Sequence, residues 1–167
     1  MTLGEAKERL KILLDESNPK SDLTNKFNRL FDAAQKEVAL YYPLYKTKDY
    51  AAGADKTLPT DCYRPRQVIL DGVWHAYSSV ESLPDEAFTL RYESKMTDIT
   101  NSTSDTVEFD LPDEAVLALI YWVAAQCQSV EYDRRYFETF MAEYSSKVAS
   151  LEAKGPAAVV EVSEDVV

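Results

Sequence analysis

The sequence predicts a mainly α chain: a helical bundle with a buried central helix and a small inserted antiparallel β element, so α+β in class. Three observations carry this expectation. Residues 115–127 form an almost unbroken apolar run behind Pro112, Asp113 and Glu114, and a helix that is apolar nearly all round needs neighbours on more than one side. Two stretches before this run and one after it repeat apolar residues at three- and four-residue spacing, the period of a helix with one buried face. Between them, period-two alternation and an Asp-Gly pair signal strands and a tight turn.

Each element has its own signature. Thr2 and Glu5 have capping-box spacing, and Leu3, Ala6, Leu10, Ile12, Leu13 and Leu14 follow as an apolar stripe that ends at Ser17-Asn18-Pro19. After Ser21-Asp22, a second stripe runs through Leu23, Phe27, Leu30, Phe31, Ala34, Val38 and Tyr41 until Pro43 stops it. From Pro43 to Pro65, tyrosines mix with Lys46, Lys48 and Lys56 while Gly53 and Pro59 break any period, which reads as short strand or loop. Val68 to Leu70 and Val73 to Tyr77 flank Asp71-Gly72 as a hairpin. Phe88, Leu90 and Tyr92 alternate with Thr89, Arg91 and Glu93, as in a strand with one buried face, and Val107, Phe109 and Leu111 alternate again with Glu108 and Asp110. Residues 97–106 between them are a polar turn. Pro112 suits a first helical position and the acids after it suit the positive end of the dipole, so the apolar helix should run to about Val130. Tyr132, Tyr136, Phe137, Phe140, Tyr144, Val148 and Leu151 then mark a last helix, closed by Lys154-Gly155-Pro156.

A chain of 167 residues is one domain's worth. The expected division is a single domain over residues 1–156, with its β insertion at about 66–111, and a flexible tail over 157–167. The net charge of -11 argues against a protein that coats nucleic acid, because phosphate binding needs clustered Lys and Arg. Cys62 and Cys127 are far apart, and the second lies on the apolar helix, where a thiol serves as a core filler. The opening residues lack a basic region followed by an apolar stretch, so an origin in the cytoplasm is expected. The apolar run is too short to cross a bilayer, so no membrane partner is expected.

Catalytic residue types are sparse. His75 is the only histidine, which rules out paired or clustered histidines and points to a strand contact. Gly4, Gly53, Gly72 and Gly155 are too scattered to cradle a phosphate. Asp15-Glu16, Asp85-Glu86 and Asp113-Glu114 fall at element ends, where helix dipoles and solvent account for them. The expectation is therefore no enzyme: no catalytic residues, no cofactor and no metal. Eleven tyrosines and two tryptophans suit a protein interface better than base stacking, which needs a basic groove. Tyr42, Tyr45, Tyr50 and Trp74 are the candidate interface residues. The Tyr-Lys stretch from Tyr41 to Lys56 reads as the only locally basic segment, and Asp49 and Asp55 interrupt it; core and loop packing is its first reading, a protein interface its second and nucleic acid its last.

The order of these signals resembles the head-to-tail adaptor, or head-tail connector, proteins of tailed bacteriophages. The resembling features are Leu3-Gly4-Glu5-Ala6-Lys7, the helix from Leu23 to Tyr42, the strand Phe88-Thr89-Leu90-Arg91-Tyr92-Glu93 and the turn Thr97-Asp98-Ile99-Thr100. Val107 to Leu111 leading into Pro112-Asp113-Glu114, and then Tyr121-Trp122-Val123-Ala124, complete them. The likeness is one of pattern and order and extends to about Leu151. It implies a non-enzymatic virion protein of the neck, made in the host cytoplasm, that forms a dodecameric ring beneath the portal protein. Such a ring lengthens the DNA channel, lets duplex DNA pass without tight binding during genome packaging and ejection, and presents a platform to the downstream neck or tail protein. It also implies that the segment after the last helix docks onto the portal, here through Ala157, Val159, Val160, Val162, Val166 and Val167. The alternatives are another neck component, such as a stopper or tail terminator, and a cytoplasmic acidic protein-binding or regulatory module.

Overall fold

A computed structural model of the protein describes residues 1–15, 21–131 and 134–152. The architecture is mixed α+β: four helices and one four-stranded antiparallel sheet. The expected tail and its closing Lys154-Gly155-Pro156 lie outside the described residues, as do Ser17-Asn18-Pro19 and Tyr132.

Helix α1 (Leu3–Leu13) starts where the capping box places it. The Thr2 hydroxyl accepts the Glu5 N–H at 3.2 Å, and the Glu5 carboxylate accepts the Thr2 N–H at 2.8 Å, so two otherwise orphaned donors are satisfied. Leu3, Ala6 and Leu10 are buried, whereas Ile12 falls off their stripe and is 77% exposed. Helix α2 (Ser21–Val38) buries Phe27, Phe31, Ala34 and Val38 as expected but ends before Tyr41. Residues 39–42 turn instead, with the Tyr41 and Tyr42 N–H groups both donating to the Val38 carbonyl, and Tyr41 becomes exposed. Pro43 disfavours helical backbone at Tyr42, so the helix has no way to run on past the turn.

Helix α3 (Asp113–Glu131) and helix α4 (Arg134–Glu152) pack along each other, and α3 also touches α1 and α2. Ala115, Val116, Ala118, Leu119, Ile120, Val123, Ala124, Ala125 and Cys127 of α3 are all buried. From α4 come Phe140, Tyr144, Val148 and Leu151, while Tyr136 stays 54% exposed. The α3 residues recur all round the helix, so three neighbours are needed to cover them.

The sheet is larger than the small element expected and begins earlier, at Tyr45. Strands β1 (Tyr45–Tyr50), β2 (Cys62–Leu70), β3 (Val73–Ala76) and β4 (Phe88–Ser94) lie in the order β1-β4-β2-β3. Strand β1 escaped the sequence pattern because it is an edge strand with only Tyr50 buried, so nothing apolar alternates along it. The β2–β3 hairpin turns at Asp71 (φ 50°) and Gly72 (φ 81°), the two positive angles that a type I′ turn requires. Pro65 sits within β2 beside a register shift, where a missing N–H is tolerated. The alternation at Val107 to Leu111 forms no strand: it yields a single bridge, Thr2 to Glu108, because Leu111 is buried in the helical core and Phe109 packs against it.

Two separate cores result. Helices α1 to α4 share one with Met96, Ile99 and Leu111. Tyr50, Val68, Phe88, Leu90 and Tyr92 form the other on one face of the sheet, closed by Leu83 with Leu58 and Tyr77 packed against it. Tyr50 stacks on Phe88 at 4.7 Å between ring centres, and its hydroxyl donates to the Thr57 carbonyl at 2.7 Å. The Tyr92 hydroxyl donates to Asp61 at 3.1 Å, and burial together with that carboxylate pushes it up to about 12.

The return from the sheet is tied to α2 by its main chain. Asn28 donates to the Thr100 carbonyl and Gln35 to the Thr97 carbonyl, both at 2.7 Å, and Asp32 accepts the Ile99 N–H at 2.9 Å. Burial alone would raise the Asp32 carboxyl. Hydrogen bonds from Lys36, Ile99 and Gln35 outweigh it and hold the group below its usual range.

Candidate interaction groove

The second face of the sheet carries the polar side chains. Because side chains alternate along a strand, the residues between the buried ones of β4 and β2 share this face: Arg91, Glu93, Gln67 and Ile69. At its centre the Arg91 guanidinium lies 4.4 Å from the Tyr45 ring centre on one edge strand and 5.5 Å from the Trp74 ring centre on the other. Arg91 also donates to the Gln67 side-chain oxygen at 3.2 Å. Its charge is thereby held between two aromatic faces, a geometry that favours a cation electrostatically.

Where this face meets the end of α2, a groove of about 540 Å³ opens. Its apolar wall comes from Leu40, Pro43, Leu44 and Met96, its basic groups are Lys36, Arg64, Arg66 and Lys95, and Tyr45 and Tyr63 flank it. Only two carboxylates line it, Glu93 and Asp98, so the groove is net basic on a chain whose net charge is -11.

Glu93 is the deepest charge, with 7% of its side chain exposed. Arg66 grips it through Nε at 2.7 Å and through a second guanidinium nitrogen, and Arg64 stands 4.0 Å away. The bulge in β2 next to Pro65 brings Arg64 and Arg66 to the same carboxylate, because two residues of β2 then oppose one of β4. Ser94, next along β4, is buried and its hydroxyl has no hydrogen-bond partner among the described residues. A buried hydroxyl without a partner costs free energy, and here it sits in the lining of the groove. Lys36 is spoken for by Asp32 at 2.7 Å and Asp98 at 2.9 Å, contacts that raise its own pKa.

The sequence-predicted interface residues part ways. Tyr45 and Trp74 come together around Arg91 on the open face, both half-buried. Tyr50 does not join them, since it lies in the sheet core at 5% exposure. Tyr42 packs against the helical core. Ala157, Val159, Val160, Val162, Val166 and Val167 lie outside the described residues. The basic stretch from Tyr41 to Lys56 is also redirected: Lys46 pairs with Asp61 at 2.9 Å, Lys56 with Asp85 at 2.6 Å, and Lys48 lies over the Tyr50 ring. The basic surface is instead built by Arg64, Arg66 and Arg91, which sequence reasoning missed. The pair Arg64-Pro65-Arg66 was its one local signal.

His75 is exposed on β3 opposite Val68. Among the described residues, no group of three or more His, Cys, Asp or Glu could hold a metal ion, and no helix is long and apolar enough to cross a membrane. Set against known proteins, the chain matches no protein-family model and no curated protein.

Proposed function

We propose that this chain is a structural, non-enzymatic protein of a tailed-phage virion, a head-to-tail adaptor that forms a ring between the portal and the next neck or tail component. In this reading residues 1–156 are one domain, a helical bundle around α3 as its buried central helix, and the sheet is an element inserted into it. The observation that carries the reading is the division into two cores. A sheet that closes on its own small core is free to project from the helical body, and its open face with Arg91, Tyr45 and Trp74 is then available to a neighbouring subunit. The element order, with helices opening and closing the chain around the sheet, agrees with the adaptor resemblance.

The strong acidity fits a conduit. A bore through which duplex DNA slides must hold phosphate weakly, and a net charge of -11 per subunit disfavours tight phosphate binding. Portal, downstream neck protein and further copies of this chain are the partners, and the virion neck is the location. The test is negative-stain microscopy of the purified chain alone and mixed with a portal from the same genome. Rings of about twelve subunits seated on the portal are the expected result; particles that never leave the monomer in either sample refute the proposal.

A further inference from the structure

We propose that the groove between the sheet and the end of α2 is a docking site for the chain's own segment 157–167, held there in the free subunit. This goes beyond the adaptor reading and stands without it, since groove and segment are present whatever the chain builds. Three observations on the groove point to such an occupant. It is net basic on an acidic protein, with Arg64 and Lys95 on its rim. Its wall of Leu40, Leu44 and Met96 is apolar, and Leu40 is 69% exposed, a large apolar surface left open to water. Tyr63, 59% exposed, extends that apolar surface on the β2 side.

The segment supplies the complement of each. Glu161, Glu164 and Asp165 are interspersed among Val159, Val160, Val162, Val166 and Val167, so that carboxylates and branched apolar side chains arrive together. Because the two kinds are mixed rather than strictly alternating, either face of an extended peptide carries both. Reach is sufficient as well. Tyr144 of α4 shares the helical core with Val38 of α2 and with Met96 of the groove wall, and Leu44 of that wall packs against the same core. From Tyr144 to the end of α4 at Glu152 is about 12 Å of helix, and residues 153–158 span up to about 20 Å when extended. A tethered segment this near acts at an effective concentration of order millimolar, so even weak contacts keep the groove filled.

The experiment uses the full chain and a full-length variant with Glu161→Gln, Glu164→Gln, Asp165→Gln, Val160→Ser and Val162→Ser. Hydrogen exchange is followed in the groove segments 39–45, 62–66 and 93–98. The intact chain should exchange there at least about tenfold more slowly than the variant, and a synthetic peptide of sequence 157–167 should restore slow exchange to the variant while leaving the intact chain unchanged. Arg64→Glu in the intact chain should release the same amides, and raising salt should weaken the added peptide several-fold, since exposed charge pairs are screened. Equal exchange in chain and variant refutes the proposal. So does equal rescue by a scrambled peptide, which would mean charge attraction without a site. Protection that fades on tenfold dilution refutes occupancy by the chain's own segment and assigns it to a second copy. None of these readings depends on a portal or on ring formation.

Discussion

Removing Arg66 should cost more than removing the carboxylate it holds. Glu93 has 7% of its side chain exposed whereas Arg66 has 42%, so the two halves of this ion pair are unequally committed to the interior. Arg66→Met leaves a buried carboxylate whose remaining ion-pair partner among the described residues is Arg64 at 4.0 Å, too far for a hydrogen bond. Breaking a fully buried pair in this way costs about 3–5 kcal/mol, and the water that reaches Arg66 brings this case to the bottom of that range or below it, about 2–3 kcal/mol. Glu93→Gln leaves an amide oxygen that still accepts from Arg66, which itself turns readily to solvent, for a loss of about 1 kcal/mol. The double replacement Arg66→Met with Glu93→Leu removes both charges and should return to within about 1 kcal/mol of the parent, because an apolar pair of similar volume substitutes well for a buried ion pair. Urea unfolding at neutral pH measures all three, and heat should show Arg66→Met melting lower by roughly 4–12 °C, at about 2–4 °C per kcal/mol for a chain of this size. If Arg66→Met costs no more than Glu93→Gln, or if the double replacement costs as much as Arg66→Met alone, the premise of a buried charge in need of its partner is wrong.

Three further outcomes follow from the same structure. Burial pushes the Tyr144 hydroxyl up to about 12, with Glu37 and Tyr41 adding to it, and that hydroxyl has no hydrogen-bond partner among the described residues. Tyr144→Phe should therefore change the urea midpoint little or raise it, by up to about 1 kcal/mol, and a loss above that would reveal a bonded hydroxyl. The Asp32 carboxyl is held below its usual range, so its contribution to stability is present above the unfolded value of about 3.9 and is lost as pH falls through the folded value. Asp32→Asn should flatten the drop in melting temperature between pH about 5 and 3, and an unaltered acid limb would show that Asp32 does not set it. Gly72 holds φ at 81° in the β2–β3 turn, so Gly72→Ala should cost about 1–2 kcal/mol by urea titration, and a neutral result would mean the turn relaxes to another type.

Helices were legible wherever local chemistry and tertiary packing agree. Thr2 and Glu5 announce α1, Pro112 and its acids announce α3, and the Phe27-Phe31-Ala34-Val38 stripe is the buried face of α2. The hairpin was equally clear, because Asp71-Gly72 has few other uses between two apolar runs. Legibility failed where the deciding neighbour is distant. Strand β1 is polar on both sides and takes its conformation from pairing with β4, some forty residues on. Residues 107–111 alternate like a strand, but packing against the helical core takes their apolar side chains instead. The groove was hidden for the same reason. Glu93 alternates like an outward-facing residue and is buried only because a bulge in β2 delivers Arg66 to it, a contact spanning 27 positions of sequence. Tyr45 and Trp74 were singled out by residue type alone, and the Arg91 that unites them carried no local mark.

The way α2 grasps the segment leaving the sheet has an evolutionary consequence. Asn28, Asp32 and Gln35 read carbonyls and an amide of residues 97–100 rather than their side chains. The clasp is therefore indifferent to what Thr97 and Thr100 display outward, and the rim can drift there to suit a changing neighbour while the grip beneath it persists; Asp98, held by Lys36 at 2.9 Å, is the exception. Position 99 is doubly constrained, since proline there would delete the hydrogen that Asp32 receives and a polar residue would sit among buried hydrocarbons.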